Sequence, residues 1–434
     1  MNVKIFSTTL ALCGLMATAC VNEVEEVFDT PASERLEQTM LECQSLLTSA
    51  QNGWMIEYYP DANQSYGGST YAAKFDPDGN VTVTGVVAEE VSGDVSKTIT
   101  SHYSINASSS VVLTFDTYND YIHYWSDPDP YSGNVYDGDF EFAYVSGTAD
   151  QMIFRGIKTG NRIVFTALDT DIVSCIEQIV AIQNEVVDNL YLGYKWSDGS
   201  SADIELYDDD NYSLLTYYPN GVEDGTYESI PYSYTMQGIS FYNAVTIDGI
   251  TVKNFQWKDN TFVSTDATDS AGTPVEVSLA GYHSDNFLHY DAFIGDYLLT
   301  YNSLKIPVTL SQKERYSSYT LSGLGNYDLT VGYSKADASL SLQPQYIGTY
   351  GSDYVWCCAW DASSGYLSWT TSYGFKITHN GDADNLVLTF ADNGNWGSHV
   401  TNSLIYYLFD APSGGSSLGT SVGRYAYIEN MIKQ

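Results

Sequence analysis

The residues with the clearest chemical use in this sequence are aromatic. Tyr354, Trp356, Cys358 and Trp360 alternate with Val355, Cys357 and Ala359. On an extended strand successive side chains point to opposite faces, so the large rings fall on one side and the small apolar groups on the other. Flat π systems stack on the C–H faces of sugar rings, which would make the aromatic side a platform for a carbohydrate. Trp369 and Trp396 follow in the same stretch and would extend the set. Large aromatics are also common core residues, so the pattern equally fits an interior strand of a sandwich. Solvent exposure of Tyr354, Trp356 and Trp360 separates the two readings.

A second chemistry lies in the acids. Asp127-Pro128-Asp129-Pro130, Gly133 and Asp137-Gly138-Asp139 place Asp127, Asp129, Asp137 and Asp139 in one loop as hard oxygen donors. Calcium takes six to eight such oxygens. The order is not that of an EF-hand: Gly133 stands one position late, Tyr131 replaces a carboxylate, and no Glu closes the loop. An irregular calcium loop and a rigid Asp/Pro surface loop remain. No HExxH, GxSxG, Walker A or GxGxxG run occurs, and the six His residues fall at no helical metal-pair spacing. With 54 Asp and Glu, a glycosidase pair would need no sequence signature, because carboxylates about 5–9 Å apart meet only in the fold. No cofactor is implied.

The first twenty residues read as an export signal. Lys4 precedes an apolar run over residues 5–16, and Ala17-Thr18-Ala19 leads to Cys20. The run is too short for a spanning helix, which needs about 20 apolar residues. Small residues ending at Cys resemble a bacterial lipobox, in which Cys20 would carry the lipid, although Ala17 stands where Leu is commoner. An ordinary signal peptidase site followed by a free thiol is the alternative. Glu23, Glu25, Glu26 and Asp29 follow as an acidic tether, resembling the signals that send some lipoproteins to the outer face of the cell. Cys43 and Cys175 each fall on the apolar side of a predicted helix and read as small buried hydrophobes, with a disulfide between them as the other arrangement. No CxxC pair or neighbouring His supports zinc.

Seventeen Lys and Arg against 54 acids give a formal net charge of −37, which leaves no basic footprint for nucleic acid. The aromatic content of 14% supplies enough apolar surface for a sizeable core. Leu36, Met40, Cys43 and Leu47 step as one helical stripe and predict a helix over 31–49, capped by Thr30. Ile172, Ile176, Ile179, Val186 and Leu190 predict another over 172–190, capped by Asp171. A short helix is predicted over 119–125. Elsewhere period-two alternation and turn signals such as Pro77-Asp78-Gly79-Asn80 predict hairpins.

The fold class expected is mainly β with two or three helices: an antiparallel β meander or open barrel with packed helices, plus a C-terminal β-sandwich-like module. The organisation expected is a signal peptide over 1–19 and a lipid-anchored acidic tether over 20–30. A helix-plus-β domain follows over 31–169, a second over 170–285 that weakly repeats the first, and an all-β module over 286–434. A polar hinge is placed at Gly281 to Asn286.

Two groups of residues carry a family resemblance. One is Phe28-Asp29-Thr30-Pro31-Ala32-Ser33-Glu34-Arg35-Leu36, with Leu47 to Trp54 and Glu57-Tyr58-Tyr59-Pro60. The other is Leu113 to Asn119, Gly138-Asp139-Phe140-Glu141-Phe142 and Lys158-Thr159-Gly160-Asn161-Arg162. Together they resemble the domain of unknown function (DUF) family 4302 of surface lipoproteins, closely over residues 28–167 and more thinly to about 265. The last third is similar to a β module of such lipoproteins, through Leu342-Gln343-Pro344-Gln345, Val355-Trp356 and Ala359-Trp360. The resemblance implies an outer-membrane lipoprotein facing the cell exterior, near SusC/SusD-type uptake systems, and it brings no catalytic residues. The function expected is non-catalytic binding of an extracellular glycan or nutrient, with Tyr354, Trp356, Trp360 and Trp396 as ligand residues. A scaffold lipoprotein binding protein partners is second, and a carboxylate-dependent hydrolase third.

Overall fold

The computed structural model describes residues 31–86, 96–128, 136–198, 204–209 and 212–434. Cys20, the tether, Thr30 and Asp129 lie outside the described residues. Helix α1 (Ala32–Ser49) buries Cys43 and Leu47 completely, while Leu36 and Met40 are only half-buried at the end of the stripe. The Trp54 indole N–H donates to the Leu47 carbonyl at 2.8 Å, tying the end of the helix to the first strand.

A nine-stranded antiparallel sheet receives this helix. Its strands are β1 (Trp54–Tyr58), β2 (Ser69–Phe75), β3 (Asn80–Val86), β4 (Ile99–His102), β5 (Ser104–Ala107), β6 (Val111–Thr114), β7 (Glu141–Gly147), β8 (Gln151–Gly156) and β9 (Arg162–Ala167). They are ordered β4-β3-β2-β1-β9-β8-β7-β6-β5. All five residues of β1 are buried, which requires cover on both faces. Trp54, Ile56 and Tyr58 face the core shared with α1. Met55 and Ala72 face the other way, against a later helix and barrel. Asn119 caps the short helix α2 (Asp120–His123) by accepting from the Tyr121 N–H at 3.1 Å.

That later helix is α3 (Ile172–Asp188). Asp171 caps it, accepting from the N–H groups of Val173 and Ser174 at 3.0 Å. Ile172, Cys175, Ile176 and Ile179 pack between the first sheet and the next barrel. Leu190 does not continue the stripe. It lies past the helix end at φ 54° and joins the core of the last module instead.

Strands β10 (Gly193–Ser197), β11 (Ile204–Asp208), β12 (Leu214–Tyr217), β13 (Glu228–Tyr234), β14 (Gly238–Ile247), β15 (Ile250–Lys258), β16 (Thr261–Ser264) and β17 (Ser278–Tyr282) form a closed barrel. It closes by β10 on β17, from Gly193↔Tyr282 to Ser197↔Ser278. The expected hinge is therefore corrected. Gly281 and Tyr282 are paired strand residues, and a side chain at Gly281 would meet the Tyr191 ring at 2.2 Å. His283 then bonds the Asn189 carbonyl at 2.6 Å and stacks on Phe287. Polar composition marked this segment as linker-like because its bonds go to the end of α3, far away in sequence. The barrel docks on the first sheet through buried polar contacts: Tyr59 Oη donates to the Ser233 hydroxyl and the Ser240 carbonyl, and Thr70 Oγ1 to the Tyr234 carbonyl at 2.6 Å.

The last module is a second closed barrel with an extra sheet. The barrel takes β18 (Gly295–Tyr301), β19 (Leu304–Glu314), β20 (Ser318–Ser322), β21 (Leu329–Ser334), β22 (Ser339–Leu342), β26 (Phe375–His379), β27 (Val387–Asp392) and β30 (Ile428–Lys433). The five-stranded sheet takes β23 (Gln345–Tyr350), β24 (Asp353–Asp361), β25 (Tyr366–Ser368), β28 (Ser403–Phe409) and β29 (Ser417–Tyr425). The protein is thus mainly β and antiparallel throughout, with helices packed on an open sheet and barrel-like modules after it. Cys43, Cys175, Cys357 and Cys358 are buried free thiols, so Cys43 and Cys175 are not bridged. Burial pushes the Cys43, Cys175 and Cys358 thiols up to about 12.

Candidate functional site

Strand β24 divides its side chains as its alternation requires. Val355, Cys357 and Ala359 are essentially unexposed. Val355 and Cys357 belong to the barrel core, with Leu404, Tyr406 and Leu408 from the neighbouring strand β28. On the other face Tyr354 pairs with Phe409, Trp356 with Tyr407, Cys358 with Ile405, and Trp360 with Ser403. Cys358, Ile405 and Phe409 make a small second core on that outer side. Trp356, Trp360 and Tyr407 roof it and are half-buried, as is Tyr354 beside them. Trp369 is 38% exposed and stands 4.9 Å from the Phe409 ring. The Trp356 indole N–H donates to the Pro412 carbonyl at 3.1 Å, which fixes the ring's direction.

The aromatic face is therefore neither a bare platform nor a closed core. Three indoles cover a thin apolar layer and present part of their surface to water. Trp396 is not among them. It stacks on Tyr373 at 5.4 Å and lies beside His399, which in turn lies against Tyr366. Tyr366 pairs with Asp361, on the opposite face of the sheet from Leu367 and Trp360. Sequence proximity grouped Trp396 with the others; strand parity separates it. Trp369 takes its place, by the same parity that sets Leu367 opposite Trp360.

The described carboxylates of the acidic loop, Asp127, Asp137 and Asp139, each go to a different partner. Asp139 is 3% exposed and is consumed locally. It accepts from the Lys158 N–H at 2.5 Å and from the Thr159 N–H and hydroxyl. Its own N–H donates to the Tyr58 hydroxyl at 2.6 Å. Asp137 pairs with Lys158 at 2.6 Å, and Asp127 accepts from the Tyr118 hydroxyl. Among the described residues no three of His, Cys, Asp and Glu come together as metal ligands. Gly138-Asp139 and Lys158-Thr159-Gly160-Asn161 are thus a structural latch between two turns. Asn161 extends it by donating to the Tyr59 carbonyl at 2.9 Å and to that of Asp61.

One concave region was not evident in the sequence. A cleft of about 870 Å³ opens between the two barrels at the end of α3. Among the described residues, seven tyrosines line it. Tyr194, Tyr232 and Tyr234 are buried at its floor, from the first barrel. Tyr316 and Tyr333 come from the second, on the β19–β20 and β21–β22 hairpins. Burial first, and then neighbouring Tyr234 and Asp208, hold the Tyr194 and Tyr232 phenols far above their ordinary range, so both keep their protons. The Tyr232 hydroxyl donates to Asp208 at 3.4 Å. These residues span over 140 positions, so no local motif announces them.

An open sheet, a barrel and a barrel bearing an extra sheet define a multi-module antiparallel β protein. The chain belongs to the family described as Domain of unknown function (DUF4302), whose model matches residues 24–259, more than half of its 434 residues. Residues 268–407 match a second Domain of unknown function (DUF4987). The resemblance read from residues 28–36, 47–60 and 113–162 is borne out. No curated protein matches the chain. A crystal structure of the vaccine antigen Transferrin Binding Protein B from Haemophilus parasuis, a double mutant, is 11% identical with a TM-score of 0.13, over 88% of this chain and 75% of that one. Similarity at that level carries no argument.

Proposed function

We propose that this protein is a surface-displayed outer-membrane lipoprotein, anchored through Cys20, that binds an extracellular glycan without turning it over. A SusC/SusD-type uptake system is the partner that would receive such a ligand. The observation that supports binding is the outer face of β24 and β28. Trp356, Trp360 and Trp369 stand half in solvent there, while Val355, Cys357, Leu404, Tyr406 and Leu408 on the inner face pack into the barrel core. Partly exposed indoles on a rigid sheet lose little freedom on stacking, which favours binding of extended, ring-bearing chains.

The test is affinity gel electrophoresis against neutral and acidic polysaccharides. Wild-type protein is expected to be retarded by a polysaccharide in the panel, and Trp360→Ala to migrate freely through the same gel. Retention of Trp360→Ala equal to wild type would remove this face from the reading. Release of reducing ends during incubation would replace binding with hydrolysis. Anchoring is tested separately: Cys20→Ala is expected to move the protein from the membrane to the soluble or unprocessed fraction. An unmodified Cys20 at the mature N-terminus by mass spectrometry would overturn it.

A further inference from the structure

The geometry points to the cleft between the two barrels as a separate saccharide site, one that takes a short neutral oligosaccharide rather than a polymer or an anion. It rests on the reading of the protein as a glycan binder, and it concerns a place remote in sequence from the indole face. About 870 Å³ lies within the roughly 300–1,000 Å³ of small-molecule sites, and the walls are concave where the indole face is open.

The chemistry of the lining selects the ligand class. Asp208 and Asp209 line the cleft with Arg315 and Lys335, and Asp188 adds its charge beside Arg315, so the described lining holds no surplus positive charge in a chain of net charge −37. Both cations already serve the protein. Arg315 pairs with Asp188 at 3.2 Å and lies over the Tyr316 ring at 4.7 Å. The Lys335 ammonium donates to the Tyr191 carbonyl at 3.1 Å. An anionic ligand would have to compete with these contacts. A polyhydroxylated neutral ligand would not: phenol rings offer apolar faces for C–H groups, and phenol hydroxyls and carboxylates exchange hydrogen bonds with sugar hydroxyls. Among the described residues no histidine lines the cleft. His283 and His289 turn instead to the Asn189 and Asp188 carbonyls at the end of α3, at 2.6 and 2.9 Å.

The cleft is also built from two modules, so a bound sugar would touch both. Tyr232 and Asp208 belong to the first barrel, and Tyr316, Tyr333 and Ala336 to hairpins of the second.

Isothermal titration calorimetry of the whole protein with neutral tri- and pentasaccharides of gluco-, manno- and xylo-series, and with inorganic phosphate, tests this. Binding of at least one oligosaccharide is expected, with no heat from phosphate. Ala336→Trp fills the cleft from an exposed turn and Asp208→Asn removes a carboxylate without changing size. Each is expected to weaken the titration by about tenfold or more, with melting temperature near wild type. The readouts separate the two sites: polysaccharide retention in the gel reports the indole face and calorimetry the cleft. Absence of heat with every oligosaccharide would overturn the proposal even where gel retention stands. So would wild-type binding in both Ala336→Trp and Asp208→Asn, loss of binding only in Trp360→Ala, or heat from phosphate alone.

Discussion

The indole face and the tyrosine cleft use aromatic rings in opposite ways. On β24 and β28 the rings come from adjacent strands of one sheet and rest on a thin layer formed by Cys358, Ile405 and Phe409. Their positions follow from strand pairing alone, as Trp356↔Tyr407 shows. In the cleft the rings come from two barrels with separate cores, and their spacing depends on how those barrels meet. Asp188 at the end of α3 sets part of that spacing, accepting from the Tyr316 hydroxyl at 2.6 Å and pairing with Arg315. A surface built within one sheet is as rigid as the sheet. A surface built across a seam is only as fixed as the seam.

The largest expected effect tests what holds the indole face in place. Tyr406 lies beneath the small sheet, 1% exposed, with its hydroxyl donating to the Leu324 carbonyl at 2.9 Å. Tyr406→Ala is expected to cost about 3–5 kcal/mol, read as a large fall in the denaturation midpoint. A shift within error would mean that the sheet is not anchored through its inner face.

Next comes Trp360→Ala. The ring is half-buried, so its loss is expected to cost only about 1–2 kcal/mol, a fraction of a full core truncation. A loss as large as that of Tyr406→Ala would make the indole face a core and dissolve the contrast between the faces.

The smallest effect concerns a cleft wall. Asp337, in the turn of the β21–β22 hairpin, accepts from the Lys376 ammonium at 2.6 Å. Burial alone would raise its pKa, but the Lys376 and Ser339 hydrogen bonds outweigh it and hold the carboxyl well below 3.8. A lowered folded pKa gives stability that is present above the unfolded value and is lost as pH falls below it. The difference in melting temperature between wild type and Asp337→Asn is therefore expected at neutral pH and should shrink progressively as pH falls below about 3.8 toward the lowered folded value. A constant difference down to pH 2 would show that Asp337 does not titrate against this pair. The pair is half-exposed, so the effect is modest and shrinks with salt.

Much of the local structure was legible in the residues. The parity of Tyr354 to Trp360 placed Val355 and Cys357 in a core and the indoles opposite. The Asp171 cap and the stripe from Ile172 to Ile179 defined α3. Features that depend on distant pairing were not legible. Closure of the first barrel joins Gly193 to Tyr282, and nothing local to either residue signals the other. Leu190 looked like the next turn of a helix because periodicity does not register a single residue at positive φ. Asp137 and Asp139 left a calcium loop open beside a rigid surface loop, because composition does not show that Lys158 and Thr159 fold back onto them. The cleft was invisible for the same reason: its tyrosines are ordinary hairpin residues until two barrels face each other.

The small sheet is assembled from two excursions of the second barrel, one between β22 and β26 and one between β27 and β30. This has a kinetic consequence. Pairing of β22 with β26, of β27 with β30 and of β24 with β28 joins segments far apart in the chain, and non-local pairings form slowly because loop closure precedes their reward. Local hairpins such as β18–β19 and β20–β21 can form earlier. The indole face, which needs both excursions side by side, is therefore expected to form late in folding. Under the proposed function, polysaccharide retention during refolding should therefore return no sooner than the completed barrel, and would serve as a clock for barrel closure.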